Sequence, residues 1–318
     1  MCVGFWTVDH PDYALILCSN RDEFLSRPTA PAQWHSFGPI GTDVHGDAPA
    51  DPGAPTVLSG RDLAAGGTWL GINRTGRIAV LTNITEPYRK YASSRGDLTS
   101  SFLLPQTPGV PLSEEIDAFL AANRGRAYAG FNMLLLSPST TPPARPGTLD
   151  LDAALLTNSG GGGALTARPL TDDERSCGGL SNGLIDRAPG EPEWPKVQHG
   201  RVAFREMLAS LAEDTAEAEV VERLFALLTW QTAPAPAARR DLSTTVHVAP
   251  IRVPPVAPPH RTRLSTAILV RHDGRATFVE RDVWTLPGGE DAREPVRAPL
   301  GHDRVFRFAV GSTGALSV

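Results

Sequence analysis

The sequence predicts an α+β protein in which two stacked, mainly antiparallel sheets lie between helical layers. Three observations support this. Apolar runs of strand length open the chain at 3–8 and 13–18 and return at 261–270 and 276–280. Helical stripes cluster in the middle and again after residue 196. The two patterns do not alternate one for one, as a doubly wound parallel sheet would require. The 318 residues are 41% hydrophobic and 20% charged, a globular composition. They are read as one domain, 1–318, because large α/β layers reach that size as one unit.

Residues 3–8 and 13–18 are joined by a turn containing His10-Pro11-Asp12, and their near-continuous apolarity implies cover on both faces. The tetrad Asn20-Arg21-Asp22-Glu23 sits where the second strand is expected to end. Pro28 and Pro31 predict irregular chain beyond it, and 38–56 reads as a surface loop. Gly66 to Asn73 and Arg77 to Asn83, with Thr75-Gly76 between them, form a hairpin with Asn83 at its far end. After a polar loop, Asp97 caps a short helix that Pro105 ends. Ser113 opens another, with Ile116, Phe119 and Leu120 on one face and Gly125 past its end.

Strand character returns at 132–137 and 149–158 around a Pro-rich turn. Gly160 to Gly163 is expected to be a flexible loop rather than a phosphate cradle, since neither Lys-Ser/Thr nor a capped helix follows it. Ser181-Asn182-Gly183 precedes a Pro/Trp segment ending at Lys196. One helix then carries Val197, Phe204, Leu208 and Leu211, and another Val220, Val221, Leu224, Phe225 and Leu228. Both stripes are core facing a sheet. Residues 232–260 are Pro/Ala-rich loops with strand character from Thr244 to Val253. Asp273-Gly274 turns the last long hairpin, and 304–310 is a final strand.

A net charge of -5 with no Lys/Arg run argues against nucleic-acid binding. Three widely spaced cysteines, Cys2, Cys18 and Cys177, form no disulfide framework and point to a reducing compartment. No run of about 18 apolar residues spans a membrane, and the N-terminus lacks the layout of a secretion signal, so a cytoplasmic location is expected. The eight histidines show no paired spacing, so no dedicated zinc site is expected. Oligomeric state is not encoded in any feature of the pattern.

Cys2 follows the initiator methionine directly, and that methionine is normally removed before a small residue. Removal places a thiol (pKa about 8.5) and an α-amine (about 7.7–8.0) on one residue, so nucleophile and base coincide. The rival reading makes Cys2 a small hydrophobe that starts a strand.

Asn20-Arg21-Asp22-Glu23 resembles the signature of the NRDE family, also called the transport and Golgi organisation protein 2 family. The likeness continues through Arg27-Pro28, Gly60-Arg61-Asp62, Gly66 to Gly71, Leu81-Thr82-Asn83, Ser181-Asn182-Gly183, Trp194-Pro195-Lys196 and Arg263 to Thr266. That family is in turn similar to cysteine N-terminal nucleophile hydrolases of the cholylglycine hydrolase and penicillin acylase type. The resemblance implies a four-layer αββα sandwich and cleavage of linear, non-peptide amides without a cofactor.

It also implies a site of Cys2 as nucleophile, Arg21 and Asp22 beside it, Asn83 and Asn182 at the oxyanion, and Arg263 opening a late strand. In the hydrolases the aspartate lies three residues beyond the arginine, where this chain has Phe24. Adjacent strand residues face opposite ways, so Arg21 and Asp22 are expected to share Cys2 only if the chain turns at Asn20. The residues alone also allow plainer uses: Arg21–Asp22 as a surface ion pair, Asn83 and Asn182 as turn residues. The partner implied is a small-molecule amide or acyl ligand. The family's links to haem trafficking and acyl-CoA or lipid handling imply an alternative, a non-catalytic carrier using the same cleft, with haem as its cofactor and Cys2 as a thiolate ligand.

Overall fold

The computed structural model describes residues 2–38, 56–104, 109–143, 146–187, 191–250, 260–286, 294–299 and 301–311. Strands and helices are numbered along the chain. Antiparallel pairing of β1 (Val3–Thr7) with β2 (Tyr13–Phe24) sets Val3 opposite Asn20 and Phe5 opposite Cys18. Among the described residues, β10 (Gly178–Leu180), β1, β2, β11 (His260–Arg271), β12 (Arg275–Asp282) and β15 (Arg304–Ala309) lie in that order in a six-stranded antiparallel sheet.

Among the described residues, a seven-stranded antiparallel sheet is a meander in chain order. It consists of β3 (Thr29–His35), β4 (Val57–Asp62), β5 (Leu70–Asn73), β6 (Ile78–Asn83), β7 (Phe131–Pro138), β8 (Leu151–Thr157) and β9 (Thr166–Pro169). A two-stranded ribbon pairs β13 (Trp284–Thr285) with β14 (Val296–Arg297).

Alternation of side chains assigns the layers. Trp6, Leu15, Leu17, Ile268 and Phe278 meet Trp34, Leu58, Ile72, Val80, Leu134 and Leu136 between the two sheets. The other face of the six-stranded sheet, with Phe5, Ile16 and Ala267, is covered by α4 (Pro195–Ala209) and α5 (Glu217–Leu228) through Phe204, Val221, Leu224 and Phe225. The outer face of the seven-stranded sheet packs Leu81, Met133 and Leu135 against Leu98 and Phe102 of α1 (Arg95–Leu103) and Ile116 of α2 (Leu112–Ala122). The result is the expected αββα order. The central strands are apolar almost throughout because both of their faces are buried.

Several expectations are corrected. β2 runs through the whole tetrad to Phe24 instead of ending before it. Residues 29–35 are strand despite Pro31, because β3 edges its sheet and a register shift between Ala30 and Gln33 absorbs the proline. Asp97 lies inside the first turn of α1, whose cap is Ser94, while Pro105 falls outside the described residues. Residues 244–250 form no strand, and 251–253 and most of 38–56 also fall outside the described residues. The glycine loop is a held turn: Gly161 donates to Glu86 Oε2 at 2.7 Å and Gly162 to the Tyr128 carbonyl at 2.8 Å.

One close approach sets the position of α4. A Cβ at Gly200 would stand 2.0 Å from the Phe5 ring, so only glycine lets this helix lie directly on β1. The N-terminus of α4 is thereby brought beside the start of the chain.

Candidate active site around Cys2

Cys2 precedes β1, and since Val3 pairs with Asn20, Cys2 lies alongside Arg21 at the next position along β2. Its carbonyl accepts a hydrogen bond of 2.8 Å from Ser181 Oγ. The Ser181 carbonyl in turn accepts from Thr82 Oγ1 at 2.6 Å and Asn132 Nδ2 at 3.1 Å. Asn132 Nδ2 also reaches the Gly183 carbonyl at 2.6 Å, and Thr157 Oγ1 holds Asn132 Oδ1 at 3.0 Å. The ends of β6, β7 and β8 therefore grip the 181–183 loop, and that loop grips Cys2. Short α3 (Asp172–Cys177) and β10 feed the loop in from the other sheet.

The chain does not turn at Asn20. Asn20 is fully buried, donating from Nδ2 to the Leu228 carbonyl at 2.9 Å and the Val246 carbonyl at 3.2 Å, and Ser265 Oγ donates to its Oδ1 at 2.6 Å. Arg21 and Asp22 consequently take opposite faces. The Arg21 guanidinium stacks 3.8 Å from the centroid of the Trp69 ring and donates to Thr29 Oγ1 at 3.1 Å. Asp22 Oδ1 accepts from Thr262 Oγ1 at 2.6 Å. Both nevertheless bear electrostatically on the Cys2 thiol.

Cys2 is half-buried as a residue, and burial pushes its thiol up, the net direction; the Asp22 carboxylate pushes the same way, while the chain's terminal ammonium first, then the Asp22 backbone N–H and the Arg21 guanidinium, favour the thiolate.

The remaining expected residues fall at varying distances from this centre. Asn83 ends β6 with an exposed side chain, and its carbonyl accepts from Asn182 Nδ2. Asn182 is buried, and its own carbonyl accepts from the Thr85 N–H at 2.8 Å. The two asparagines thus meet each other at the loop that holds Cys2. Arg263 occupies a bulge in β11, between Thr262 opposite Asp22 and Leu264 opposite Arg21. Its Nη1 donates to the carbonyls of Leu25 at 3.2 Å and Arg27 at 2.8 Å. Burial and the neighbouring Arg21 push its guanidinium down. It lines a cleft of about 470 Å³ with Arg27, Thr29, Trp284 and Arg304, which Cys2 does not line.

Three further groups enter the site that the sequence reading assigned no role. Lys196 is fully buried at the second residue of α4, within electrostatic reach of Asp22 and Cys2. Arg95 is the first residue of α1, donates to the Gly130 carbonyl at 2.8 Å and also senses Cys2. His247 is 3% exposed, its Nε2 has no hydrogen-bond partner among the described residues, and burial pushes it toward the neutral form although Asp22 opposes this. A legible signal existed for the first two: each is a cation in a helix's first turn, where the macrodipole disfavours it. Among the described residues no group of three or more His, Cys, Asp or Glu side chains is arranged to hold a metal, and no helix is long and apolar enough to cross a membrane.

Two mainly antiparallel sheets between helical layers, with Cys2 immediately before β1, define the class: a four-layer αββα sandwich. The model of the family Transport and Golgi organisation 2 matches residues 1–285, and the chain belongs to that family. It is 31% identical over 298 residues to the Transport and Golgi organization protein 2 homolog of Bos taurus, covering 89% of this chain and 93% of that one. It is 29% identical over 301 residues to the Homo sapiens homolog, with the same coverage. Among solved structures it is similar to penicillin V acylase from Agrobacterium tumefaciens (10% identity, TM-score 0.48, 90% of this chain and 84% of that one). It is also similar to the C2A mutant of conjugated bile acid hydrolase from Clostridium perfringens (10% identity, TM-score 0.46, 97% and 96%).

Proposed function

We propose that this protein is an N-terminal-cysteine hydrolase acting on the carbon–nitrogen bond of a small, non-peptide amide, with no cofactor. The observation that carries the reading is the surroundings of Cys2. Its carbonyl is anchored by Ser181, and its sulfur lies within the field of Arg21, Arg95 and Lys196. Cations about a thiol favour the nucleophilic thiolate.

Once Met1 is removed, the Cys2 α-amine takes the thiol proton and the sulfur attacks the amide carbon. Negative charge then develops on the carbonyl oxygen. Asn182 Nδ2 retains a second N–H beyond its bond to the Asn83 carbonyl, and Asn83 offers a side-chain amide on the same loop contact. A well-aimed amide donor there lowers the barrier by about 2.7–4 kcal/mol. The α-ammonium returns its proton to the leaving amine, and water releases the acyl group from sulfur. In this reading Arg21 and Arg263 favour an acyl or amine portion that carries negative charge.

The test is mass spectrometry after exposure to a thiol-reactive acylating probe, together with the intact mass of the untreated protein. Loss of Met1 and acylation of Cys2 alone are expected. A retained Met1 would remove the α-amine from the mechanism. A Cys2→Ala variant that binds an acyl ligand like wild type, beside wild type that frees no amine from a panel of acyl amides, would favour a carrier instead.

A further inference from the structure

We propose that the cleft between residues 25–31, β11 and β13 binds a small amphiphilic carboxylate, its head on Arg263 and its apolar body against Leu25, Leu286 and Trp284. The cleft measures about 470 Å³. Sites for small molecules commonly measure about 300–1,000 Å³. Cys2 does not line it, so the site stands whether or not that residue is a nucleophile.

The bulge in β11 breaks the register at Arg263, and a bulge re-aims the side chain it carries. Nη1 is tied to the carbonyls of Leu25 at 3.2 Å and Arg27 at 2.8 Å, which holds the guanidinium in place. The Nε–Nη2 edge has no acceptor among the described residues. Other arginines of this chain give that same edge to carboxylates. Arg281 holds Asp303 with Nε at 2.8 Å and Nη2 at 2.6 Å, and Arg27 holds Asp62 at 2.9 and 2.6 Å. Two parallel N–H bonds from one guanidinium edge match the two oxygens of a carboxylate.

The other charges of the lining are already matched. Arg304 binds both oxygens of Asp282 at 2.8 Å through its two Nη atoms, and Glu280 Oε1 at 2.8 Å through Nε. Arg27 is occupied by Asp62. The positive excess therefore rests on Arg263. Burial and the nearby Arg21 both disfavour its charge, and an anion seated on it offsets them. Leu25, Leu63, Leu286 and the Trp284 ring give the lining its apolar surface. One arginine edge between apolar walls suits a single carboxylate on an apolar body, and neither a multiply charged phosphate nor a neutral chain.

The test is titration of the full chain with octanoate, followed by calorimetry and by the ¹H–¹⁵N signals of the six tryptophan indoles, with Trp284→Phe assigning the one in the cleft. One octanoate per chain is expected, moving the Trp284 signal and leaving those of the buried Trp6 and Trp34 in place. Octanamide, which keeps the chain and removes the charge, and inorganic phosphate are each expected to bind at least about tenfold more weakly. Arg263→Gln is expected to weaken octanoate about tenfold or more, and Arg263→Lys to recover only part of this, because an ammonium lacks the paired edge.

Wild type that shows no saturable octanoate binding would overturn the proposal, as would binding that leaves the Trp284 signal unmoved. Phosphate or octanamide bound as tightly as octanoate would also overturn it, and so would wild-type affinity in a folded Arg263→Gln protein. Should that variant not fold, Leu63→Asp serves instead. Leu63 is a half-buried lining residue whose backbone N–H bond to the Pro28 carbonyl survives the change. The added carboxylate is expected to weaken octanoate about tenfold, and unchanged affinity there overturns the site. A Cys2 that no acylating probe labels defeats the hydrolase reading alone and leaves this inference standing.

Discussion

Ser181 donates its hydroxyl to the carbonyl of Cys2 at 2.8 Å, joining residues 179 positions apart. This bond attaches the start of β1 to a loop that is itself held by three strands of the opposite sheet. Ser181→Ala is expected to lower stability by about 0.5–1.5 kcal/mol in urea titration. On the hydrolase reading proposed above, it should also slow turnover of an amide substrate about tenfold or more by loosening Cys2, with less effect on KM.

Thr262 serves two partners from the centre of the fold. Its hydroxyl donates to Asp22 Oδ1 at 2.6 Å and accepts from the Val248 N–H at 2.8 Å. Thr262→Val keeps the shape and removes both bonds. A loss of about 1.5–3 kcal/mol is expected in denaturant titration, because one partner is a carboxylate. Thr262→Ser should recover most of it.

Gly200→Ala tests the packing of α4. In an exposed helix this change stabilises by up to about 1 kcal/mol. Here the new Cβ would stand 2.0 Å from the Phe5 ring, so overpacking reverses the sign and a net loss of about 1–3 kcal/mol is expected by thermal or urea unfolding.

Glu174 supplies the pH-dependent case. Burial alone would raise its carboxyl, but Arg168, bonding both oxygens at 2.7 and 2.8 Å, and the Thr171 N–H at 2.9 Å together hold it below the usual carboxylate range. A depressed folded value means the unfolded chain binds the proton more readily. The contribution is therefore full above the unfolded pKa of about 4.3 and disappears as pH falls through the folded value. Glu174 also closes the capping box of α3 with Thr171. Glu174→Gln is expected to cost about 1 kcal/mol at neutral pH and progressively less as pH falls below the unfolded pKa, measured as paired urea midpoints.

Much of the scaffold was legible because its signals are local. The paired apolar runs, the Asp273-Gly274 turn and the α4 and α5 stripes each follow from spacing within a few residues, and all reappear as strands, turn and helices. Short elements were not legible: β10 has three residues and β9 four, too few to show a period, and their pairing with β1 and β8 fixes them instead. β3 was hidden by Pro31, which an edge strand tolerates and a central one does not.

For the site the same division holds. The sequence by itself offered Cys2, Arg21 and Asp22 as candidates for one site, and placed Asn83 at the end of a hairpin and Asn182 in a later loop. Tertiary structure alone decided that Arg21 and Asp22 take opposite faces of an unbroken strand, and that Lys196, far along the chain, is buried within electrostatic reach of Asp22 and Cys2. The reason is physical: side-chain direction along a strand follows from local geometry, whereas the field at a buried thiol sums charges that only the packing of α4 on β1 brings together.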